Sequence, residues 1–130
     1  MAVIVLDASV VIGFLSSRDA HHEAAEHAFV RHRDDDLILP ASVYAEILVG
    51  PFRIGADAVA KVDAFLTDFA VHIAPVDAET AKRAALLRSR PQSLRLPDAL
   101  VLATADAIGA SKVLTVDRTW QRISPLAEVI

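Results

Sequence analysis

The chain has 130 residues, of which 54% are apolar, and a formal net charge of −4, which fits one compact domain and argues against disorder of the whole chain. It contains no cysteine, which excludes a disulfide framework, thiolate zinc sites and a cysteine nucleophile. The first residues lack the features of a signal peptide, and no apolar run reaches the roughly 18 residues of a membrane span. The sequence therefore predicts a single cytoplasmic domain over residues 1–130, with no membrane segment.

Short β-branched runs alternate with longer helical patterns along the chain. The predicted strands cover Val3–Leu6 and residues 37–39, 72–74, 112–116 and 126–130. The predicted helices cover Ala8–Leu15 and residues 20–33, 43–49, 56–69, 77–88 and 97–108, with a short helical turn over 118–122. Strands separated by helices predict an α/β fold whose mostly parallel sheet has helices on both faces.

Several residues set the predicted boundaries of these elements. Asp19 and Ser42 are predicted N-caps, because short polar side chains accept hydrogen bonds from the first free N–H groups of a helix. Gly50-Pro51 and Gly109 are predicted helix ends. Residues 34–36, three aspartates in a row, predict a solvated turn.

Acidic residues stand at two predicted strand ends and in two predicted helices. Asp7 follows the first strand and Asp117 the fourth, while Asp98 opens the helix over 97–108. Glu46 lies in an otherwise apolar helix, where a buried carboxylate would need a partner. Because open parallel sheets bind ligands beyond the carboxyl ends of their strands, we expect these acids to converge. Converging carboxylates favour a divalent cation between them, with Mg²⁺ or Mn²⁺ the best match for oxygen ligands.

Each acid also has an explanation that needs no function. The three aspartates precede or open helices, where an acid caps free N–H groups and favours the helix dipole. A partly exposed Glu46 would need no partner. The four positions together favour a shared site over independent capping. Other acidic or phosphate-binding α/β sites fit poorly, since Ser9 replaces the second aspartate of a haloacid-dehalogenase-like phosphatase and no glycine-rich loop follows the first strand.

Four segments of the chain resemble the PIN-domain family. They are Val-Leu-Asp-Ala-Ser around Asp7, Ala-Glu-Ile-Leu around Glu46, Leu-Pro-Asp-Ala-Leu around Asp98 and Leu-Thr-Val-Asp ending at Asp117. Their order and spacing resemble those of bacterial VapC-type toxins, the ribonucleases of VapBC toxin–antitoxin pairs. The resemblance implies an α/β/α sandwich with a five-stranded parallel sheet and Mg²⁺- or Mn²⁺-dependent cleavage of structured RNA such as tRNA or rRNA. It also implies a homodimer and a VapB-type antitoxin as partner.

The same resemblance assigns a role to each matched residue. The principal metal ligands would be Asp7 and Asp98, the further acids of the site Glu46 and Asp117, and the supporting hydroxyl residues Ser9 and Thr115. Trp120 stands where the family often has phenylalanine.

A basic stretch leads directly to Asp98. It carries Arg88, Arg90 and Arg95, and no acid lies between Thr80 and Pro97. These arginines are predicted to contact RNA phosphates beside the site, although a solvated helix face explains them equally well. The histidines at 21, 22, 27 and 32 are predicted to be exposed helix residues, because a spacing of five does not share a helix face.

Three functions remain open from the sequence. The leading one is the toxin ribonuclease. The second is a PIN-type nuclease that processes RNA, or cuts DNA, without an antitoxin. The third is a metal-free binding module that has lost catalysis, which the four intact acids argue against.

Overall fold

Five strands form one sheet in the computed structural model, which describes residues 1–91 and 94–130. The strands are β1 (Val3–Leu6), β2 (Asp36–Pro40), β3 (His72–Ala74), β4 (Lys112–Thr115) and β5 (Ala127–Val129). Their order across the sheet is β3-β2-β1-β4-β5, and every neighbouring pair is parallel. The predicted α/β fold with a five-stranded parallel sheet is confirmed.

Helices connect the strands and cover the sheet. They are α1 (Ala8–Leu15), α2 (His22–Arg31), α3 (Ala41–Ile54), α4 (Ala56–Asp68), α5 (Ala78–Ser89) and α6 (Leu96–Ala107), with a 3₁₀ turn over Arg118–Arg122. Within the described residues, none of them is long and apolar enough to cross a membrane.

The central strand β1 determines where the candidate site forms. Its residues Ile4, Val5 and Leu6 are completely buried, as expected of a strand in the middle of a parallel sheet. The chain adds β2 and β3 on one side of β1 and then crosses to add β4 and β5 on the other. Strand order therefore reverses between β1 and β4, and a crevice forms at the carboxyl ends of strands at such a switch point.

Four phenylalanines join α1, α2 and α4 into one apolar cluster. The rings of Phe14, Phe29, Phe65 and Phe69 all contact one another, with centroids 4.8 to 5.6 Å apart in tilted and edge-to-face arrangements. Such geometry suits the aromatic quadrupole. The cluster holds α1, which begins directly after Asp7, against the rest of the domain.

The predicted boundaries of α3 are wrong at both ends. The helix continues through Gly50-Pro51 to Ile54, because losing the N–H of one proline removes a single hydrogen bond, and the Gly55 N–H still bonds to the Pro51 carbonyl at 3.0 Å. Gly55, with φ of 150°, makes the turn into α4. Ser42 is not the N-cap. That position belongs to Pro40, and the buried Ser42 Oγ has no hydrogen-bond partner within the described residues.

The two ends of α2 and the three aspartates after it also differ from the prediction. The helix covers His22–Arg31, and Asp19 bonds to the His21 N–H in the turn before it instead of capping it. Asp35 is not simply solvated, because it accepts bonds from the Ala2 N–H at 3.0 Å and from the ring of His32 at 2.8 Å.

His32 is buried rather than exposed, at 7% accessibility. Its Nδ1 faces Asp35, and its Nε2 lies 3.0 Å from Glu128 Oε2 on β5. Arg31 and Lys112 bond to the same Glu128 carboxylate, each at 2.9 Å. This cluster ties α2 and the amino-terminal end of β4 to β5.

We predict that Glu128→Gln destabilises the fold by on the order of 2 kcal/mol near pH 7. Burial alone would raise the pKa of Glu128, but the bonds from Lys112, His32 and Arg31 outweigh it and lower the pKa from 4.5 to about 2. The stabilisation is therefore full above about pH 4.5 and is lost as pH falls towards 2.

Urea unfolding at several pH values measures this effect, with Glu23→Gln on the exposed start of α2 as the control. A Glu128→Gln cost no larger than that of the control, or one that does not shrink in acid, would contradict the prediction.

Candidate active site

The carboxylate of Asp7 is buried where β1 ends beside β4, with the residue 8% exposed. Its N–H donates to the Leu114 carbonyl oxygen at 3.0 Å, which extends the pairing of the two strands by one residue. Its Oδ1 accepts from the Ala8 N–H at 2.8 Å, and its Oδ2 accepts from Ser9 Oγ at 2.7 Å and Thr115 Oγ1 at 2.9 Å. These partners fix the orientation of the carboxylate.

The backbone of β4 fixes the direction of both hydroxyl bonds. The Val116 N–H donates to Ser9 Oγ at 3.2 Å, and the Asp117 N–H donates to Thr115 Oγ1 at 3.1 Å. Because each hydroxyl oxygen accepts from an N–H, its own hydrogen is free to donate to Asp7. Oδ2 of Asp7 thus accepts two bonds and Oδ1 only one, which leaves Oδ1 the better oxygen for a cation.

Asp117 does cap a helical turn, as the explanation that needs no function predicted. Its Oδ1 accepts from the Thr119 N–H at 2.9 Å and from Thr119 Oγ1 at 2.7 Å at the start of the 3₁₀ turn. Both bonds go to Oδ1, so Oδ2 remains available to a ligand. Capping and ligand binding are therefore compatible at this residue.

Asp98 and Glu46 are not explained by capping. Asp98 lies in the first turn of α6, whose N-cap is Arg95, and no side chain makes a cap bond there. Glu46 is exposed, which agrees with the alternative that its carboxylate needs no partner in the core. The buried residues of that helix are Val43 and Ile47, and Glu46 lies at the edge of their stripe, three residues after Val43.

The four acids line one open cavity of about 300 Å³. The remaining lining residues are Ser9, Ile12, Arg95, Val116 and Trp120. The structure thus brings together residues from β1, β4, α3 and α6 that lie far apart in the sequence.

Crowding of like charges shows in the electrostatics of this cavity. Loss of water raises the pKa of Asp7, against the opposing bonds from Ser9 and Thr115, and the charge of Asp117 raises it further. Loss of water and then the charge of Asp7 raise the pKa of Glu46, although its side chain as a whole is exposed. The pKa of Asp98 is also raised, chiefly by loss of water and against the pull of Arg95.

The donor chemistry of the cavity fits a hard divalent cation, since carboxylate oxygens are the ligands such ions prefer. A cation would also relieve the repulsion that adds to the larger effect of lost water in raising these pKa values. Within residues 1–91 and 94–130, no three metal-type side chains converge closely enough to hold an ion as they stand. The acids border a common space, and binding would draw their side chains inward, which the exposed Glu46 and the half-buried Asp98 and Asp117 leave room for.

The family model described as the PIN domain matches residues 4–125. The chain belongs to the PIN domain family. None of the curated proteins matches it.

Solved structures with a similar fold cover almost the whole of this PIN domain at low sequence identity. A toxin–antitoxin complex from Klebsiella pneumoniae has a TM-score of 0.80 and 21% identity, over 97% of this chain and 96% of that one. VapC20 of Mycobacterium tuberculosis, described as a sarcin–ricin loop cleaving toxin, has a TM-score of 0.76 and 19% identity, over 93% and 95%. VapBC2 from Rickettsia felis, bound to a promoter DNA fragment, has a TM-score of 0.80 and 17% identity, over 98% of each chain.

The predicted basic residues of this PIN domain separate in the structure. Arg95 lies in the wall of the acidic cavity. Arg90 instead lines a cavity of about 330 Å³ with Asp106 and Leu126, which shares no residue with the acidic one. Arg88 is exposed on α5. Sequence reasoning did not place Ile12 at the site, and its apolar side chain gave no signal for it. Trp120 was singled out only as a position of the family resemblance, and the structure places it in the lining of the cavity.

We predict that Glu46→Gln raises the melting temperature of the metal-free protein by roughly 1 to 3 °C near pH 7, because it removes one of the crowded charges. The raised pKa of Glu46 means that folding disfavours its charged form. The gain should therefore vanish as pH falls below about 4.5, where the carboxyl group is protonated in both folded and unfolded chains. Thermal unfolding with EDTA tests this, and a gain equal to that of Glu23→Gln would refute it.

Proposed function

We propose that this PIN domain is a divalent-cation-dependent endoribonuclease that acts as the toxin of a toxin–antitoxin pair. Its substrate would be structured RNA such as tRNA or rRNA. The observation that carries the proposal is the cavity in which Asp7, Glu46, Asp98 and Asp117 meet at the switch point of the sheet. The toxin–antitoxin structures that share this fold support the biological setting.

Asp7 and Asp98 would hold the cation, Mg²⁺ or Mn²⁺. When bound, such an ion stabilises charge on the phosphodiester and favours deprotonation of an attacking water. Asp7 suits a ligand because Ser9 and Thr115 fix its orientation before the ion arrives. Asp98 suits one because it has no capping bond to give up and is only loosely paired with Arg95, at 3.6 Å.

Glu46 and Asp117 would activate and orient the attacking water. The lining of the cavity, within the described residues, contains no histidine, so a carboxylate must accept the proton of the attacking water. Glu46 suits this role, since it lines the cavity and its exposed side chain can reach a water there. Asp117 would orient the water through Oδ2, because Thr119 occupies its Oδ1. Arg88 and Arg90 remain proposed phosphate contacts outside the cavity.

We predict that Asp7→Asn abolishes Mn²⁺-dependent cleavage, and that Thr115→Val lowers it by roughly 10- to 100-fold because Asp7 loses one of its orienting bonds. Total RNA is incubated with purified protein and Mn²⁺, and the new 5′ ends are sequenced. Thr104→Val is the matched control, since Thr104 is equally buried but bonds only to the Leu100 carbonyl within α6.

Cleavage that persists in Asp7→Asn would refute the proposed site. DNA cleavage without RNA cleavage would favour the processing nuclease. Wild-type protein that neither binds Mn²⁺ nor cleaves RNA would favour the metal-free binding module.

We further propose that the antitoxin docks in an apolar groove of about 440 Å³ between α1, α3 and α4. Ile12 lines both this groove and the acidic cavity, so one ligand can occupy both. Lys61 is the one charged residue in the lining of the groove as described. A partner with an apolar face and an acidic residue near Lys61 would be complementary to the groove. A basic residue on the same partner would be complementary to the acidic cavity. Val49 and Phe52, exposed on α3 outside the groove, favour the expected homodimer.

We predict that Ile54→Glu prevents neutralisation by the antitoxin but leaves RNA cleavage intact. Ile54 lines the groove and is 81% exposed, so the fold tolerates a charge there while a docked apolar face does not. The toxin variants are expressed with the product of the short reading frame expected beside the gene, and growth is measured. Val30→Glu on α2, 63% exposed, is the control. Equal behaviour of the two variants would contradict the assignment of the groove.

A further inference from the structure

Arg95 is the one basic residue in the described lining of the acidic cavity. Its charge reaches two of the acids, because it lowers the pKa of both Asp98 and Glu46 against the larger effect of lost water. A guanidinium group beside four carboxylates would ordinarily be expected to form a close ion pair with one of them.

The guanidinium of Arg95 is nevertheless loosely held. Its Nε lies 3.6 Å from Asp98 Oδ2, the length of a weak ion pair, and the side chain is 81% exposed. Arg83 shows the alternative within the same protein, since it bonds to Glu79 at 3.0 Å and to Asp106 at 2.8 Å. Exposed pairs such as that of Arg95 contribute little to stability.

The backbone that carries Arg95 is fixed, in contrast to its side chain. The neighbouring Leu94 is buried, and the Arg95 carbonyl accepts the Ala99 N–H at 3.0 Å in the first turn of α6. This is the end of a helix where the dipole disfavours a cation. The weak, exposed ion pair with Asp98 and the unfavourable helix dipole therefore give this arginine little structural value.

We propose that Arg95 is a phosphate-positioning residue of the ribonuclease site, an inference that rests on the function proposed above. Its guanidinium leaves Asp98 when RNA arrives and donates to a phosphate beside the acids. Arginine suits this task because its planar fork offers paired donors to phosphate oxygens. Without RNA, the same positive charge opposes the binding of a divalent cation at Asp98.

These two actions give Arg95 an unusual signature. Removing the charge should tighten cation binding and weaken RNA binding, whereas a purely structural arginine would change the two in the same direction or not at all. Lysine keeps the charge and loses the fork, so it should restore wild-type cation affinity but only part of the RNA binding.

The test measures both affinities in wild-type protein, Arg95→Ala, Arg95→Lys and Arg33→Ala. Arg33 is an exposed arginine between α2 and β2, at the opposite end of the sheet, and serves as the control. Mn²⁺ affinity is read without RNA from quenching of Trp120, the single tryptophan, which lines the same cavity. RNA binding is read as KM at saturating Mn²⁺, on an oligonucleotide that spans the cleavage site found by 5′-end sequencing.

For Arg95→Ala we expect Mn²⁺ to bind roughly 2- to 5-fold more tightly, KM to rise roughly 10-fold and kcat to change little. Arg33→Ala should match wild type in all three. If Arg95→Ala matched Arg33→Ala, or bound Mn²⁺ more weakly, the role of Arg95 would be overturned while the ribonuclease assignment stood. Wild-type protein that neither bound Mn²⁺ nor cleaved RNA would overturn both.

Discussion

The structure depends on holding one buried carboxylate, that of Asp7, in a fixed orientation at the carboxyl ends of β1 and β4. A buried charge without donors would be costly, so the chain supplies an N–H and two hydroxyl groups to it. The hydroxyl groups of Ser9 and Thr115 are in turn fixed by N–H groups at the end of β4. The contacts that hold β1 beside β4 therefore also fix the orientation of the Asp7 carboxylate.

The acids at the two ends of the sheet have opposite surroundings. At the amino-terminal end, Glu128 is surrounded by Arg31, His32 and Lys112, and the result is a structural tie between elements. At the carboxyl-terminal end, four acids share a cavity whose described lining has Arg95 as its single basic residue, in a weak ion pair. Uncompensated negative charge of this kind destabilises a fold. It lies at the switch point of the sheet, where parallel sheets bind ligands, and its sign would attract a cation.

The sequence was sufficient to predict the order of strands and helices and the strand-end acids Asp7 and Asp117, because these follow from local periodicity and from the rules of parallel sheets. It was not sufficient for the exposure of Glu46, since an apolar helix does not reveal which of its faces meets the core. It also did not predict the burial of His32, whose partner Glu128 lies 96 residues away. The sequence placed Arg88, Arg90 and Arg95 beside the site alike, and only the fold, which brings α6 beside β1, shows that Arg95 alone of these three lines the cavity.

The central claim is that the acidic cavity binds a divalent cation through Asp7 and Asp98. An anomalous difference map from crystals grown with Mn²⁺ tests it most directly, because it locates the ion without reference to activity. We expect a peak bordered by Oδ1 of Asp7 and the carboxylate of Asp98, with Glu46 drawn inward. No peak in the cavity, or one at another surface only, would contradict it.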